Sequence, residues 1–265
     1  MKNERRSGAG SAYSVVAANY DKLNTGVDYP AFADYVDALR EKYSLIPGRA
    51  LALDLACGTG SVTYPLAALG YEMIGVDLSE EMLAAAYAKL GSIGSGSGAI
   101  APIFLCQDMR SFELYGTVGA VFCCLDSVNC LTGKGELRQC FDLVRNYLDP
   151  GGVFVFDVNT PWRFDHILDG REYTLEAKGV FCAFRGALSK GGLCRFDYTV
   201  FDELPDGSWM RGDETQLERR YTRRQIEKAL DDAGLELCAV CSAFTFDEAK
   251  EDDERWFFVA RRRIG

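Results

Sequence analysis

The chain has 265 residues, of which 48% are hydrophobic and 26% are charged; this is the composition of a globular protein with one large core and at most a modest accessory lobe. No segment approaches the roughly 20 apolar residues that a membrane-spanning helix needs, and the N-terminus lacks the apolar stretch of a signal peptide. The net charge of −10 disfavours nucleic-acid partners, because their binding depends on neutralising phosphates. We therefore expect a soluble cytoplasmic protein without membrane or nucleic-acid partners. The sequence leaves the oligomeric state, monomer or homodimer, open.

The ten cysteines are scattered, and most lie in apolar runs, as reduced cysteines do in protein cores. Cys238 and Cys241 have CxxC spacing, but they lie on a predicted strand, where residues three apart point to opposite faces. The chain has one histidine and no second cysteine pair of this kind. We expect neither a zinc site nor a disulfide framework.

From about residue 50 onward, short apolar runs alternate with helical patterns. The predicted strands are Ala50–Leu55, Glu72–Asp77, Ile103–Gln107, Ala120–Leu125 and Val153–Val158. A sharp turn is predicted at residues 149–152, before the fifth strand. Continuous apolar strands of this kind suit a parallel sheet that is covered on both faces, so the fold class is α/β, with a doubly wound, mostly parallel sheet.

Helices are predicted between these strands. One should open near Ser61, and Ser79 should cap another whose first turn carries Glu80 and Glu81. Leu137, Phe141, Val144 and Leu148 form one apolar stripe of a helix. A capping box at Thr222 and Gln225, followed by Gly234 at the C-cap, defines the last helix.

Residues 171–221 show a different pattern, with alternating residues and two glycine-containing turns typical of hairpins. We expect an antiparallel β insertion after the fifth strand, and a return of the chain to the main sheet at Trp256–Ala260. The predicted organisation is a core over residues 1–170, an acceptor lobe over 171–221 and a return to the core over 222–265. Gly91–Gly98 is predicted to be a flexible linker within the core.

The segment Leu53–Gly60 (LDLACGTG) carries the most functional information. Its glycines permit close approach of a ligand, and Asp77 at the next strand end is placed to accept ribose hydroxyls. A nicotinamide cofactor and a methyl donor both remain possible. The absence of the third glycine of G-x-G-x-x-G and the presence of Asp54, which would repel a pyrophosphate but attract a sulfonium, favour the methyl donor.

Four segments in order resemble those of the class I S-adenosylmethionine-dependent methyltransferases: LDLACGTG, IGVDLSEEML (74–83), CQDMRSF (106–112) and FCCLDSVNCL (122–131). The resemblance implies a seven-stranded Rossmann-like sheet, S-adenosylmethionine as methyl donor and S-adenosylhomocysteine as product. It also implies cofactor-binding roles for Ala56 and Gly58 in the turn, Asp77 on the ribose, Leu78, Met82, Asp108 and Met109 around the adenine, and Leu125 near the methionine part.

The run 13–21 resembles the family's helix that closes over the donor, which places Tyr13 and Tyr20 on the cofactor. Within the family, the chain is most similar to small-molecule enzymes such as the amino-sugar N-methyltransferases, which also carry a β-rich insertion. The resemblance thus implies methyl transfer to a small-molecule acceptor, with N or O favoured over C as the methylated atom. A catalytically silent donor-binding protein and a nicotinamide-dependent oxidoreductase are the alternatives.

No catalytic residue can be assigned, because methyl transfer from a sulfonium depends chiefly on proximity and alignment. His166, the only histidine, is a candidate general base, since it follows the fifth strand and its ordinary pKa suits proton transfer near neutral pH. Asn129, Trp162 and Tyr198 are candidates for the wall of the acceptor pocket.

Overall fold

The computed structural model describes residues 14–90 and 100–264, which form a seven-stranded mixed sheet and a separate four-stranded sheet. The strands are β1 (Leu51–Leu55), β2 (Glu72–Asp77), β3 (Ile103–Cys106), β4 (Val118–Cys123), β5 (Leu148–Asn159), β6 (Glu172–Ala177), β7 (Val180–Leu188), β8 (Leu193–Glu203), β9 (Trp209–Arg219), β10 (Leu235–Ser242) and β11 (Arg255–Arg262). The large sheet has the order β3-β2-β1-β4-β5-β11-β10, and β11 is antiparallel to both of its neighbours. This arrangement confirms the predicted Rossmann-like fold class.

The helices are α1 (Ser14–Ala17), α2 (Tyr20–Leu23), α3 (Tyr29–Tyr43), α4 (Thr63–Ala68), α5 (Glu80–Lys89), α6 (Glu136–Tyr147), α7 (Pro161–Arg163) and α8 (Arg223–Asp232). A 3-10 turn at Ser127–Cys130 follows β4, and a π-helical turn at Phe164–Leu168 follows α7. The predicted caps are present: Ser79 accepts the backbone N–H of Met82, and Thr222 and Gln225 form a capping box. None of the helices in the described ranges is long and apolar enough to cross a membrane.

The core lies on both faces of the large sheet. α6 and α8 pack on one face, where Phe141 contacts the stacked rings of Phe154 and Phe156. α3 and α4 pack on the other face, against side chains that alternate with the first set along β4 and β5. Because both faces are covered, the central strands are largely apolar, as the sequence pattern predicted, and their buried acids lie near the carboxyl ends.

The insertion is an antiparallel sheet of order β6-β7-β8-β9 that follows the fifth strand, as predicted. Cross-strand pairing puts Tyr198 and Phe184 on one face together with Glu214, Gln216 and Glu218. Phe184 and Tyr198 stack with ring centroids 5.1 Å apart. We call this the inner face, because α1 and the π-helical turn pack on it.

Two local predictions are wrong. Residues 149–152 are part of β5 instead of a separate turn: the extra residues bulge between the pairs Val118–Leu148 and Ala120–Val153, helped by Gly151 with φ of +84°. The described part of the N-terminal run forms two short helices instead of one. The helix after the glycine turn (Thr63–Ala68) agrees with the predicted start near Ser61, since the backbone N–H of Tyr64 donates to the carbonyl of Gly60 at 3.0 Å. The predicted linker, Gly91–Gly98, lies outside the described residues, and the three-part domain division stays a prediction.

Candidate functional site

The turn after β1 is held by a carboxylate from β2. Asp77 Oδ2 accepts the backbone N–H of Gly58 at 2.7 Å, and Oδ1 accepts that of Ser79 at 2.9 Å. Gly58 has a φ of +53°, and Ala56 has a φ of +59°, a left-handed conformation that costs a residue with a Cβ about 1 kcal/mol. Burial raises the pKa of the Asp77 carboxyl. The sequence therefore forms a strained, tightly fixed turn with an acid at its edge.

A cavity opens beside this turn, and three parts of the chain form its wall. The lining residues are Tyr20 from α2, then Asp54, Ala56, Cys57, Gly58, Thr59, Ser61 and Val62 from the end of β1 and its turn, and Cys124, Leu125 and Ser127 after β4. The cavity lies at the carboxyl ends of parallel strands, where open α/β sheets bind ligands. It brings together Tyr20, Ala56, Gly58 and Leu125 from the sequence-predicted set.

Asp54 is 1% exposed, and its Oδ2 accepts the hydroxyl of Thr63 at 2.6 Å. Burial, with a further contribution from the Asp77 charge, raises the pKa of Asp54 to about 7. A cation placed in the cavity would favour the ionised carboxylate.

The end of β4 is held in an unusual backbone conformation. Leu125 and Asp126 have φ values of +58° and +54°, which are rare for residues other than glycine. The fully buried carboxylate of Asp157 accepts both of their backbone N–H groups, at 2.7 and 2.9 Å. Arg255 pairs with Asp157 and, at 2.7 Å, with Asp126. The cavity wall at Leu125 thus depends on a buried ion pair between β5 and β11.

The N-terminal segment joins the glycine turn to the insertion. Asp21 accepts the hydroxyls of Thr59 at 2.7 Å and Ser61 at 3.0 Å, and it pairs with Lys89 at 2.6 Å. At the other end of the segment, Glu214 on β9 accepts the backbone N–H groups of residues 15 and 16, at 2.9 and 3.1 Å. Tyr20 lies between these two anchors, against the cavity.

The inner face of the insertion places a second carboxylate near the end of β4. Glu218 Oε2 accepts the side-chain N–H of Asn159 at 3.2 Å, and Asn159 Oδ1 lies 3.4 Å from the Arg255 guanidinium. Burial, and then the negative charge of Asp126, raise the pKa of the Glu218 carboxyl. Burial and the charge of Glu218 likewise raise the pKa of the Tyr198 hydroxyl. The titratable groups of Asp126 after β4, Tyr198 on β8 and Glu218 on β9 therefore interact electrostatically here.

The remaining predicted donor residues lie around the neighbouring strand ends. Met82 is 3% exposed, with its sulfur next to Gly58, whereas Leu78 is 63% exposed. Both oxygens of Asp108 are engaged by the Arg110 guanidinium, which lowers the pKa of the Asp108 carboxyl. Met109 packs against the core. None of these four lines the cavity directly, and Tyr13 lies outside the described residues.

The candidate general base and the candidate wall residues of the acceptor pocket do not line this cavity. His166 is exposed, and its ring stacks on that of Trp162 with centroids 4.8 Å apart. Its Nδ1 lies within hydrogen-bonding distance, 2.9 Å, of the carbonyl oxygen of Trp162. Asn129 is fully buried; its amide bonds the backbone of Asn159 and the carbonyl of Arg219. Asn129 therefore connects the two sheets and is not a wall residue; Tyr198 lies on the inner face.

Sequence reasoning missed Asp21, Asp126, Asp157, Glu218 and Arg255. Asp126 and Asp157 follow or end predicted strands, so their positions carried a signal. Glu218 is one acid among several on an exposed-looking hairpin, and nothing in the local pattern separates it from the others.

Comparisons with known proteins give a consistent result. The family described as "Methyltransferase domain" matches residues 52–152. A protein of Geobacillus sp. (strain WCH70), provisionally named as a methyltransferase, is 31% identical over 253 residues, which cover 94% of this chain and 99% of that protein.

A second relative is the dTDP-3-amino-3,6-dideoxy-alpha-D-glucopyranose N,N-dimethyltransferase of Streptomyces fradiae, 30% identical over 226 residues that cover 83% of each protein. Among solved structures, an S-adenosylmethionine-dependent methyltransferase from Clostridium acetobutylicum ATCC 824 has a TM-score of 0.82 and 28% identity, covering 95% of this chain and 99% of that one.

Proposed function

The chain belongs to the class I S-adenosylmethionine-dependent methyltransferases, and we propose that it transfers a methyl group to an amino group of a small molecule. This membership confirms the family predicted from the sequence. It argues against the alternative of a nicotinamide-dependent oxidoreductase. The observation that carries the proposal is the cavity at the carboxyl ends of parallel strands, which is lined by the glycine turn, the buried carboxylate of Asp54 and the ring of Tyr20.

For the donor, we propose that Asp77, Ala56 and Gly58 hold the adenosine side of S-adenosylmethionine. The left-handed turn brings backbone close to the cavity, and the Asp77 carboxylate, held by backbone N–H groups, lies at the edge of this turn. Asp54 and Leu125 would border the methionine part. When bound, S-adenosylmethionine supplies an activated methyl group with an excellent leaving group. Tyr13, Leu78, Met82, Asp108 and Met109 remain proposed contacts of the adenine end or the closing segment.

For the acceptor, we propose a primary or secondary amine on a small, ring-containing molecule. The relative in Streptomyces fradiae is named for an amino sugar. In this chain, Tyr198 and the stacked Phe184 offer ring surface, and Asp126 and Glu218 offer negative charge, which together suit a cationic amine. Residues 171–221 would then be the acceptor lobe, as the sequence suggests.

We further propose that the protein works in a reducing, cytoplasmic compartment. Cys123, Cys140 and Cys194 are fully buried in the two sheets and their cores, and burial raises the pKa of each thiol. Such thiols pack as small hydrophobes and are poor nucleophiles.

The donor assignment is tested by calorimetric titration with S-adenosylhomocysteine. Asp77→Asn should weaken binding by about 10- to 100-fold, because a hydrogen bond to a charged acceptor is worth about 1.5–3 kcal/mol. Asp142→Asn, an exposed acid on α6, is the matched control and should bind like the wild type. Equal affinity in both variants would contradict the donor site.

The acceptor class is tested by following labelled methyl transfer to pairs of sugars that differ only in an amino or a hydroxyl group at one carbon. We expect transfer to the amino member of each pair. Transfer to the hydroxyl members alone would overturn the amine proposal and leave the methyltransferase assignment intact. Donor binding without transfer to any acceptor would instead favour a catalytically silent protein.

A further inference from the structure

Glu218 occupies a particular place on the inner face of the insertion. Three hydrogen-bonding side chains of β9 share this face, and the two besides Glu218 have structural partners: Glu214 holds the start of α1, and Gln216 donates to Glu214 at 2.7 Å. Glu218 lies one step further along the strand, next to Asn159 at the carboxyl end of β5. This is the end of the large sheet at which the cavity opens.

The hydrogen bonding of Glu218 is incomplete. Oε2 accepts from Asn159, and within the described part of the chain no group donates to Oε1. Asn159 is itself fixed, because its backbone N–H donates to Asn129 at 3.0 Å and its side-chain oxygen faces Arg255. A fixed amide therefore orients the carboxylate while one oxygen remains open to a ligand.

The surroundings of Glu218 come from four other elements. Asp126 after β4 adds negative charge, Arg163 in α7 adds positive charge, and Tyr198 and Cys194 on β8 are titratable neighbours. Asn159 at the end of β5 is neutral. Asp126 is flanked by Leu125 and Ser127, both of which line the cavity, and it interacts electrostatically with Glu218, so Glu218 lies near the part of the cavity wall that follows β4.

We propose that Glu218 receives the ammonium group of the acceptor and accepts one of its protons before methyl transfer; this inference rests on the proposed function. The proton moves from the acceptor nitrogen to the Glu218 carboxylate, which leaves a neutral amine with a free lone pair. The lone pair forms the N–C bond as the S–C bond breaks, and that electron pair stays on sulfur. The products are the methylated ammonium, S-adenosylhomocysteine and the proton, which Glu218 releases to solvent.

The first test needs no knowledge of the acceptor. Sinefungin carries an amino group in place of the transferred methyl group, so its ammonium tests charge at the point of transfer, whereas S-adenosylhomocysteine lacks that group. Titrating both ligands gives an affinity ratio for each variant. Glu218→Gln should reduce the preference for sinefungin about tenfold and leave the affinity for S-adenosylhomocysteine unchanged, which also shows that the variant is folded.

Asp213→Asn is the matched control. Asp213 lies on the same strand, on the opposite and exposed face, paired with Arg211 at 2.8 Å. Its substitution removes the same charge and should leave the ratio at the wild-type value. A ratio that is equal in the wild type and Glu218→Gln would overturn the role of Glu218.

The second test uses an amine that the wild type methylates. The rate of transfer should rise with pH as Glu218 ionises, and Glu218→Gln should lower kcat by about 100-fold and remove this rise. Amine methylation with an unchanged pH profile in Glu218→Gln would overturn this inference alone. Wild-type methylation of hydroxyl acceptors only would overturn the proposed function, and the inference with it.

Discussion

Asp157 accepts the backbone N–H of Leu125 at 2.7 Å, and Leu125 is held in a left-handed conformation, with φ of +58°. A strained residue persists when the surrounding structure over-determines it, and such residues cluster at functional sites. Here the constraint comes from a carboxylate that is fully buried on the neighbouring strand and neutralised by Arg255. The backbone of this part of the cavity wall is therefore held in place by the ion pair between Asp157 and Arg255.

Asp157→Asn should destabilise the protein by about 3 kcal/mol, because it leaves Arg255 facing a neutral amide in a buried setting and replaces one of two backbone acceptors with a donor. Urea unfolding measures this change. Asp142→Asn, which removes an exposed acid paired with Arg138, should change the free energy of unfolding by less than about 1 kcal/mol. Equal effects of the two substitutions would contradict the role assigned to Asp157.

Ala56→Gly should raise the free energy of unfolding by up to about 1 kcal/mol, because glycine adopts the observed φ of +59° without steric cost. The same substitution at Ala84, an exposed position within α5, should lower it by about 1 kcal/mol. Thermal and urea unfolding of the two variants measure the difference in sign. A loss of stability in both would show that the turn does not strain Ala56.

Asp54 gives stability a pH dependence of defined sign. The unfolded chain releases this proton near pH 4, whereas burial keeps it on the folded chain up to about pH 7. Between these values the folded state binds more protons, so the contribution of Asp54 to stability is full below pH 4 and is lost as pH rises to 7. In Asp54→Asn this loss should be absent.

The free energy of unfolding of Asp54→Asn relative to the wild type should therefore increase between pH 4 and 7, by at most about 1.4 kcal/mol per pH unit, and stay constant above. Urea unfolding at pH 5, 6 and 8 measures this difference. Asp108→Asn is the contrast: its pKa is lowered by Arg110, so that variant should lose stability relative to the wild type as pH rises from the acid range. A flat difference for Asp54→Asn would contradict a raised pKa.

Asp21→Asn should weaken S-adenosylhomocysteine binding about tenfold, because the carboxylate ties Tyr20 and its segment to the hydroxyls of Thr59 and Ser61. Asp21 is 40% exposed, so the free energy of unfolding should change by less than about 1 kcal/mol. Calorimetry and urea unfolding on the same variant separate the two effects. Glu41→Gln, an exposed acid on α3, is the control; a loss of affinity there too would argue against a specific link.

The sequence by itself determined the α/β class, the strand-end acids and the glycine turn. These features are local: Asp77 ends an apolar run, and Ser79 and Thr222 cap helices through groups three residues away. Strand periodicity and capping chemistry depend on neighbours in the chain, so they can be read from the chain alone. The resemblance carried by LDLACGTG and the segments after it belongs to the same local class.

The tertiary structure decided which acids act together. Glu218 lies 59 residues from Asn159, and Arg255 lies 98 residues from Asp157, so no local pattern links either pair. Their meeting depends on the antiparallel return of β11 beside β5 and on the contact of the insertion with the end of β5. Burial and charge then set their protonation, because desolvation and Coulomb interaction depend on distance in space and not on distance along the chain.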